Sequence, residues 1–146
     1  LVSGSHAATA LTAEGNAPQS EEIGLTHTLI DEGDRTARHT LLEAPPITPL
    51  TAFVRQLRDK PEGPYAEPYF DPCDGGTAAE CLFPLEAPGP RAIKSGSVSR
   101  NNPDETAKNF FVLHQEAGID RTRTIVWNIV PWHVGNAQQS KIWPVT

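Results

Sequence analysis

Methionine is missing from this 146-residue sequence altogether, and cysteine occurs only twice, at Cys73 and Cys81. No C-x-x-C pair can be drawn, which excludes a zinc ribbon or a four-cysteine iron–sulfur cluster built from this chain alone. The preferred reading is two buried thiols of a cytosolic protein, with a disulfide left open by the spacing. There is no apolar run of about 18 residues and no charged-then-apolar leader, so a soluble, cytoplasmic protein with no membrane partner is expected. Starting at Leu1 and lacking Met, the chain reads as a fragment, or as one whose natural start lies outside it. Apolar residues are also somewhat scarce at 38%, and fourteen prolines and eleven glycines account for part of that. The length fits one domain. Positive charge is short as well, with 12 Lys and Arg against 18 Asp and Glu, net −6. Such a balance argues against avid non-specific binding to nucleic acid, which needs a basic face, but residues 81–146 carry seven bases against five acids and leave room for a local one.

Two apolar runs organise what is present. Leu82 to Pro90, L-F-P-L-E-A-P-G-P, ends in Glu86 and a Pro/Gly turn, the pattern of a buried strand with one carboxylate at its C-terminal tip. Thr124 to Val130, T-I-V-W-N-I-V, carries a single amide, Asn128, and stops at Pro131. A helix-like segment lies between them, so the three read as a right-handed βαβ unit with parallel, adjacent strands. Ligands of open α/β sheets bind at carboxyl strand ends, which would bring Glu86 and Asn128 to one crevice.

Residues 1–45 read as a flexible or loosely packed lead-in. His27 and His39 lie there among Asp31, Glu32 and Asp34, in no metal-binding spacing, and a solvated acidic stretch is the reading. Leu50 to Lys60 has helical apolar spacing and a basic C-terminal end. Pro61 to Gly76 reads as a loop whose Tyr65, Tyr69 and Phe70 cover the core. Pro84 is awkward in a central strand. Pro90 to Asn102 reads as a loop over the mouth of the crevice, and Asn102 and Pro103 as the N-cap and first residue of a helix that Gly118 ends. His114 on that helix reads as a packing histidine, and Arg121 and Arg123 as partners of nearby acids.

A carboxylate at an apolar strand tip is either a structural acceptor or a general base. An amide inside I-V-W-N-I-V must be hydrogen-bonded at both ends or is costly to bury, and it bonds either backbone or a ligand edge such as that of a pyrimidine.

Taken in order, L-E-A-P-G-P, S-x-S-R-N-N-P-D-x-T-A-x-N-F-F, E-A-G-I-D-R and W-N-I-V-P-W resemble the uracil-DNA glycosylase superfamily, in an actinobacterial-type branch without an iron–sulfur cluster. The resemblance covers about residues 50–146. It implies an α/β fold, a three-layer αβα sandwich with a central parallel sheet, with residues 46–146 as the N-terminal part of the domain. It implies a DNA-repair enzyme that hydrolyses the N-glycosidic bond of uracil, or another deaminated base, in DNA. Glu86 and Asn128 would be the catalytic residues, Glu86 orienting water and Asn128 also reading the extruded base. Ala87, Pro88, Gly89, Ser97 and Val98 would line the base pocket, while Lys94, Ser99 and Arg100 would contact DNA. No metal or other cofactor is implied, the partner is uracil-containing DNA, and a monomer is expected. The family's second motif, with its histidine, would lie beyond Thr146, so the chain reads as C-terminally truncated and its activity as impaired. The alternative is a non-catalytic nucleic-acid-binding module that keeps the fold.

Overall fold

The computed structural model describes residues 26–60 and 67–135. Tyr65 and Lys141 are among the residues outside these bounds, as is most of the expected lead-in. The described part is mixed α/β: helix α1 (Glu32–Thr40), helix α2 (Thr48–Arg58), strand β1 (Tyr69–Phe70), strand β2 (Cys81–Leu85), helix α3 (Pro90–Ser95), strand β3 (Ser97–Val98), helix α4 (Glu105–Glu116) and strand β4 (Thr124–Asn128). All strand pairing is parallel, β1 with β3 and β2 with β4, and β4 also touches β1 and β3.

The expected βαβ unit is present. Leu85 lies opposite Asn128 and Phe83 opposite Val126, so the two apolar runs are neighbours in register. Side chains alternate between sheet faces, and the two faces are covered by different helices. Phe83 meets Phe110 and His114 of α4 edge-on, with ring centroids 5.0 Å and 5.1 Å away. On the opposite face Ile125 joins Ile47, Val54 and Phe70 in the buried core, where Trp127 stacks on Phe70 at 3.7 Å. Val54, on α2, is fully buried, and burial of such a side chain stabilises by about 1.5–3 kcal/mol. Pro84 is accommodated because, among the described residues, β2 pairs only with β4. The Leu85 carbonyl turns toward β4 to accept from Ile129, so the preceding residue turns its backbone outward and no ladder bond is lost.

Several boundaries differ from expectation. Pro90 to Asn102 is not simply a loop: Pro90 starts α3, Gly96 ends it at φ +75°, and Ser97 and Val98 pair with β1. Asp104, not Asn102, caps α4, accepting from the Ala107 N–H at 2.9 Å. Tyr69 and Phe70 form a strand rather than a covering loop. Residues 26–45 are packed rather than loose, since Thr26, Leu29 and Leu42 are buried and α1 is anchored through Arg38. Both cysteines are free, but Cys81 is exposed and only Cys73 is half-buried, which corrects the expectation of two buried thiols.

Candidate functional site

The tips of β2 and β4 open into a cleft of about 550 Å³, within the range of small-molecule sites. Val126, Val98, Ala92 and Phe110 give it an apolar floor, and Glu86, Asn102 and Asn128 supply polar groups. Backbone bonds fix the two tips to each other: Ile129 donates to the Leu85 carbonyl at 2.8 Å and Val130 to that of Glu86 at 2.9 Å. The following turn folds back over the E-A-P-G segment, with His133 Nδ1 3.0 Å from the Pro88 carbonyl oxygen. Glu86 is exposed, whereas Asn128 is buried at 3%.

Asn128 Nδ2 has no hydrogen-bond partner, although it is buried. A buried amide left unpaired carries its desolvation cost without return, so native structures rarely keep one unless something else uses it. Two further residues of the cleft wall each have one buried atom in this state, Asn102 at Oδ1 and Arg100 at Nε. The Asn102 amide is oriented unambiguously, because its nitrogen donates to the Ser97 carbonyl at 2.9 Å and only the oxygen is left over.

Of the residues expected to form the base pocket, Ala87, Pro88, Gly89 and Val98 line the cleft together with Glu86 and Asn128. Ser97 does not: it is fully buried, and its carbonyl serves Asn102 instead. Lys94, near the end of α3, is exposed and fits a surface contact. Ser99 and Arg100 do not, because both are buried. The Ser99 hydroxyl accepts from the Asn101 N–H at 3.0 Å. The Arg100 guanidinium lies 3.3 Å from Asp74, donates to Thr124 Oγ1 at 2.9 Å and sits over the Phe110 ring. A guanidinium committed in this way is a support of the cleft wall, which corrects its expected role as a phosphate contact. His114 is a packing residue as expected: Nδ1 lies 2.9 Å from the Phe110 carbonyl oxygen, and burial lowers its pKa.

Behind the cleft two carboxylates and three guanidiniums form one polar cluster. Asp71, with no exposure, accepts from Arg38 at 2.7 Å and Arg121 at 2.6 Å. Asp74 accepts from Arg121 Nε at 2.7 Å. Burial opposes ionisation of Asp71, but Arg121 and Arg38 outweigh it and hold the carboxyl below its ordinary range. Burial, with repulsion from Asp71, instead pushes Asp74 up to about 6.

The opposite shifts place the two acids in separate pH windows. A carboxyl raised by folding gives stability that is complete below its ordinary pKa of 3.8 and is lost as pH rises through about 6. The lowered Asp71 gives stability present above 3.8 and lost at more acid pH. Between pH 4 and 6, therefore, wild-type protein should lose stability relative to Asp74→Asn, by at most about 1.4 kcal/mol per pH unit for one group. Urea midpoints across that range check it, and parallel curves for the two proteins would show that Asp74 does not titrate there.

Among the described residues no three His, Cys, Asp or Glu side chains gather as a metal site, and no helix is long and apolar enough to cross a membrane. No protein-family model, no curated protein and no solved structure matches the chain.

Proposed function

We propose that the cleft receives a base turned out of DNA and that the protein is a uracil-DNA glycosylase-like hydrolase of the N-glycosidic bond. On this reading α2 and α4 are the outer layers of a three-layer αβα domain, with the parallel strands between them. The observation that carries the reading is the buried, unpartnered Asn128 nitrogen, held one strand away from the Glu86 carboxylate at the mouth of the same cleft. Reaction at a base requires it to leave the stack, and a concave apolar site with a few polar groups suits a flipped ring.

The chemistry follows from the charge that develops. As the bond between the sugar carbon and the base nitrogen breaks, its electron pair passes to the base, whose carbonyl oxygens become more negative while the sugar gains positive charge. Asn128 Nδ2 donates to such an oxygen, and that bond strengthens in the transition state. The exposed Glu86 carboxylate orients a water toward the sugar carbon, faces the cationic sugar and takes the water's proton as the new C–O bond forms. Of the three residues expected to contact DNA, Lys94 is the one exposed to meet a phosphate from solvent, and the exposed Arg91 on the cleft lining is a second cation placed to do so.

Glu86→Gln keeps the side chain's outline and removes its charge. Uracil release from a single-stranded oligonucleotide should fall roughly 100-fold or more in kcat with little change in KM. Wild-type protein that neither releases uracil nor binds the free base sinks the reading. Salt-dependent DNA binding without release would favour a non-catalytic module.

A further inference from the structure

Three guanidiniums share two carboxylates behind the cleft, and they do not share them equally. Arg38 and Arg121 both reach Asp71, at 2.7 Å and 2.6 Å. Arg100 lies 3.3 Å from Asp74 and, among the described residues, pairs with that acid alone, although its side chain is only 2% exposed. The two acids are unequal as well. Both oxygens of Asp71 accept hydrogen bonds, from Arg38, Arg121 and the Cys73 N–H. Asp74 gathers Arg121 and Arg100 on Oδ1, while its Oδ2 is buried with no hydrogen-bond partner. A buried carboxylate oxygen without a donor disfavours the charged form, so a proton taken up by the cluster goes to Asp74 Oδ2. That proton removes the charge on which Arg100 depends and leaves Arg38 and Arg121 paired with Asp71.

We propose that Asp74 and Arg100 form a proton-operated latch, in which protonation of Asp74 releases the Arg100 guanidinium from the wall of the cleft. Arg100 is placed to pass the change on. It comes from the turn between β3 and α4, donates to Thr124 Oγ1 at the start of β4 at 2.9 Å, and lies 5.3 Å from the centre of the Phe110 ring on the cleft floor. A guanidinium without its counterion is costly to keep buried, so it turns toward solvent and Phe110 loses its cover. Burial and repulsion from Asp71 push the Asp74 carboxyl up to about 6, which sets the release between neutral and mildly acid pH. The other charged groups around the pair are Asp71 and Arg121, with Arg38 beyond them, and the Cys73 thiol, which burial pushes up and so keeps neutral. From α4, His114 packs on the Phe110 ring at 4.3 Å, and burial lowers its pKa. The latch follows from the geometry of the cluster and does not depend on the reaction proposed for the cleft.

NMR of the intact chain between about pH 7.5 and about pH 5 tests it, through the Asp74 carboxyl carbon and the guanidinium N–H groups of the three arginines. The Asp74 resonance should titrate with a midpoint of about 6. Protection of Arg100 from solvent exchange, corrected for the intrinsic pH dependence of exchange, should fall at least about tenfold across that range, while Arg38 and Arg121 keep theirs. The Phe110 ring signals should move with the same midpoint. Asp74→Asn should leave Arg100 unprotected already at neutral pH and abolish the pH dependence. Constant protection of Arg100 in wild type overturns the latch, whether or not the variant folds, and so does loss of protection at all three arginines together, which would be a general loosening. A Phe110 shift that persists in Asp74→Asn belongs to His114 and overturns it too. None of these signals requires a bound base, so their failure leaves the glycosylase reading standing.

Discussion

Asn128→Ala is expected to reduce uracil release by roughly 100-fold or more while leaving the urea midpoint nearly unchanged, a combination that few buried positions would give. Buried asparagines are ordinarily structural: truncating one strands its partners, at about 1–3 kcal/mol for each group left unsatisfied. Here the Nδ2 group has no partner to strand. Removing it relieves a desolvation cost and forfeits some packing, two terms of similar size and opposite sign, so stability should stay within about 1 kcal/mol of wild type. Function should not be spared, because the same nitrogen is the donor for which the β4 tip has no other replacement at residue 128. Chemical denaturation and single-turnover release on one preparation separate the outcomes. A large loss of stability would show that the amide supports the fold, and unaltered release would show that the base is read elsewhere.

The parts of this molecule that were legible in the sequence are those shaped by apolar periodicity. The runs ending at Glu86 and Asn128 announced two strands, and their pairing as parallel neighbours followed from the helix between them. Helix α2 was legible for the same reason, with Val54 on its buried side. Helix α1 was not, because it buries no residue of its own and is held by polar groups, Arg38 reaching Asp71 and His39 reaching the Ser95 carbonyl. A contact of that kind leaves no repeat to read. Strands β1 and β3 are two residues each, too short to set up an alternation.

Arg100 shows the same limit at the site. A cation in a Ser- and Asn-rich stretch reads as a surface contact when its surroundings are unknown. The acids that draw it inward, Asp71 and Asp74, lie far upstream, on the turn after β1. Asn102 was read as a cap from its place before Pro103, and the true cap two residues later is what frees its amide. Spacing located the cleft but could not say which of its polar side chains lacked partners. That depends on contacts between segments distant in the chain.

Asp71→Ala should be the most destabilising substitution in the described part of the protein, at about 3–5 kcal/mol, a large fraction of the about 5–15 kcal/mol typical of a domain. The reason is asymmetry. An intact buried ion pair contributes little over a well-packed apolar replacement, because desolvation offsets attraction, whereas removing one partner leaves the others desolvated and unpaired. Asp71 has several: Arg38 at 2.7 Å, Arg121 at 2.6 Å, and the Cys73 N–H at 2.9 Å. The loss should also be local. With no buried residue, α1 is held by polar contacts, of which Arg38 to Asp71 is one beside His39 to the Ser95 carbonyl, so its amides should exchange faster in the variant by a larger factor than those of α2. Arg121 also donates to Asn101 at 2.5 Å, and its release should loosen the turn between β3 and α4. Once Asp71 is gone, Arg38 has lost its main partner, so adding Arg38→Ala should cost less than it does in wild type. A double-mutant cycle by urea denaturation should therefore show coupling of at least about 1 kcal/mol. Additive losses, or uniform exchange across α1 and α2, would mean that α1 is held by contacts other than this cluster.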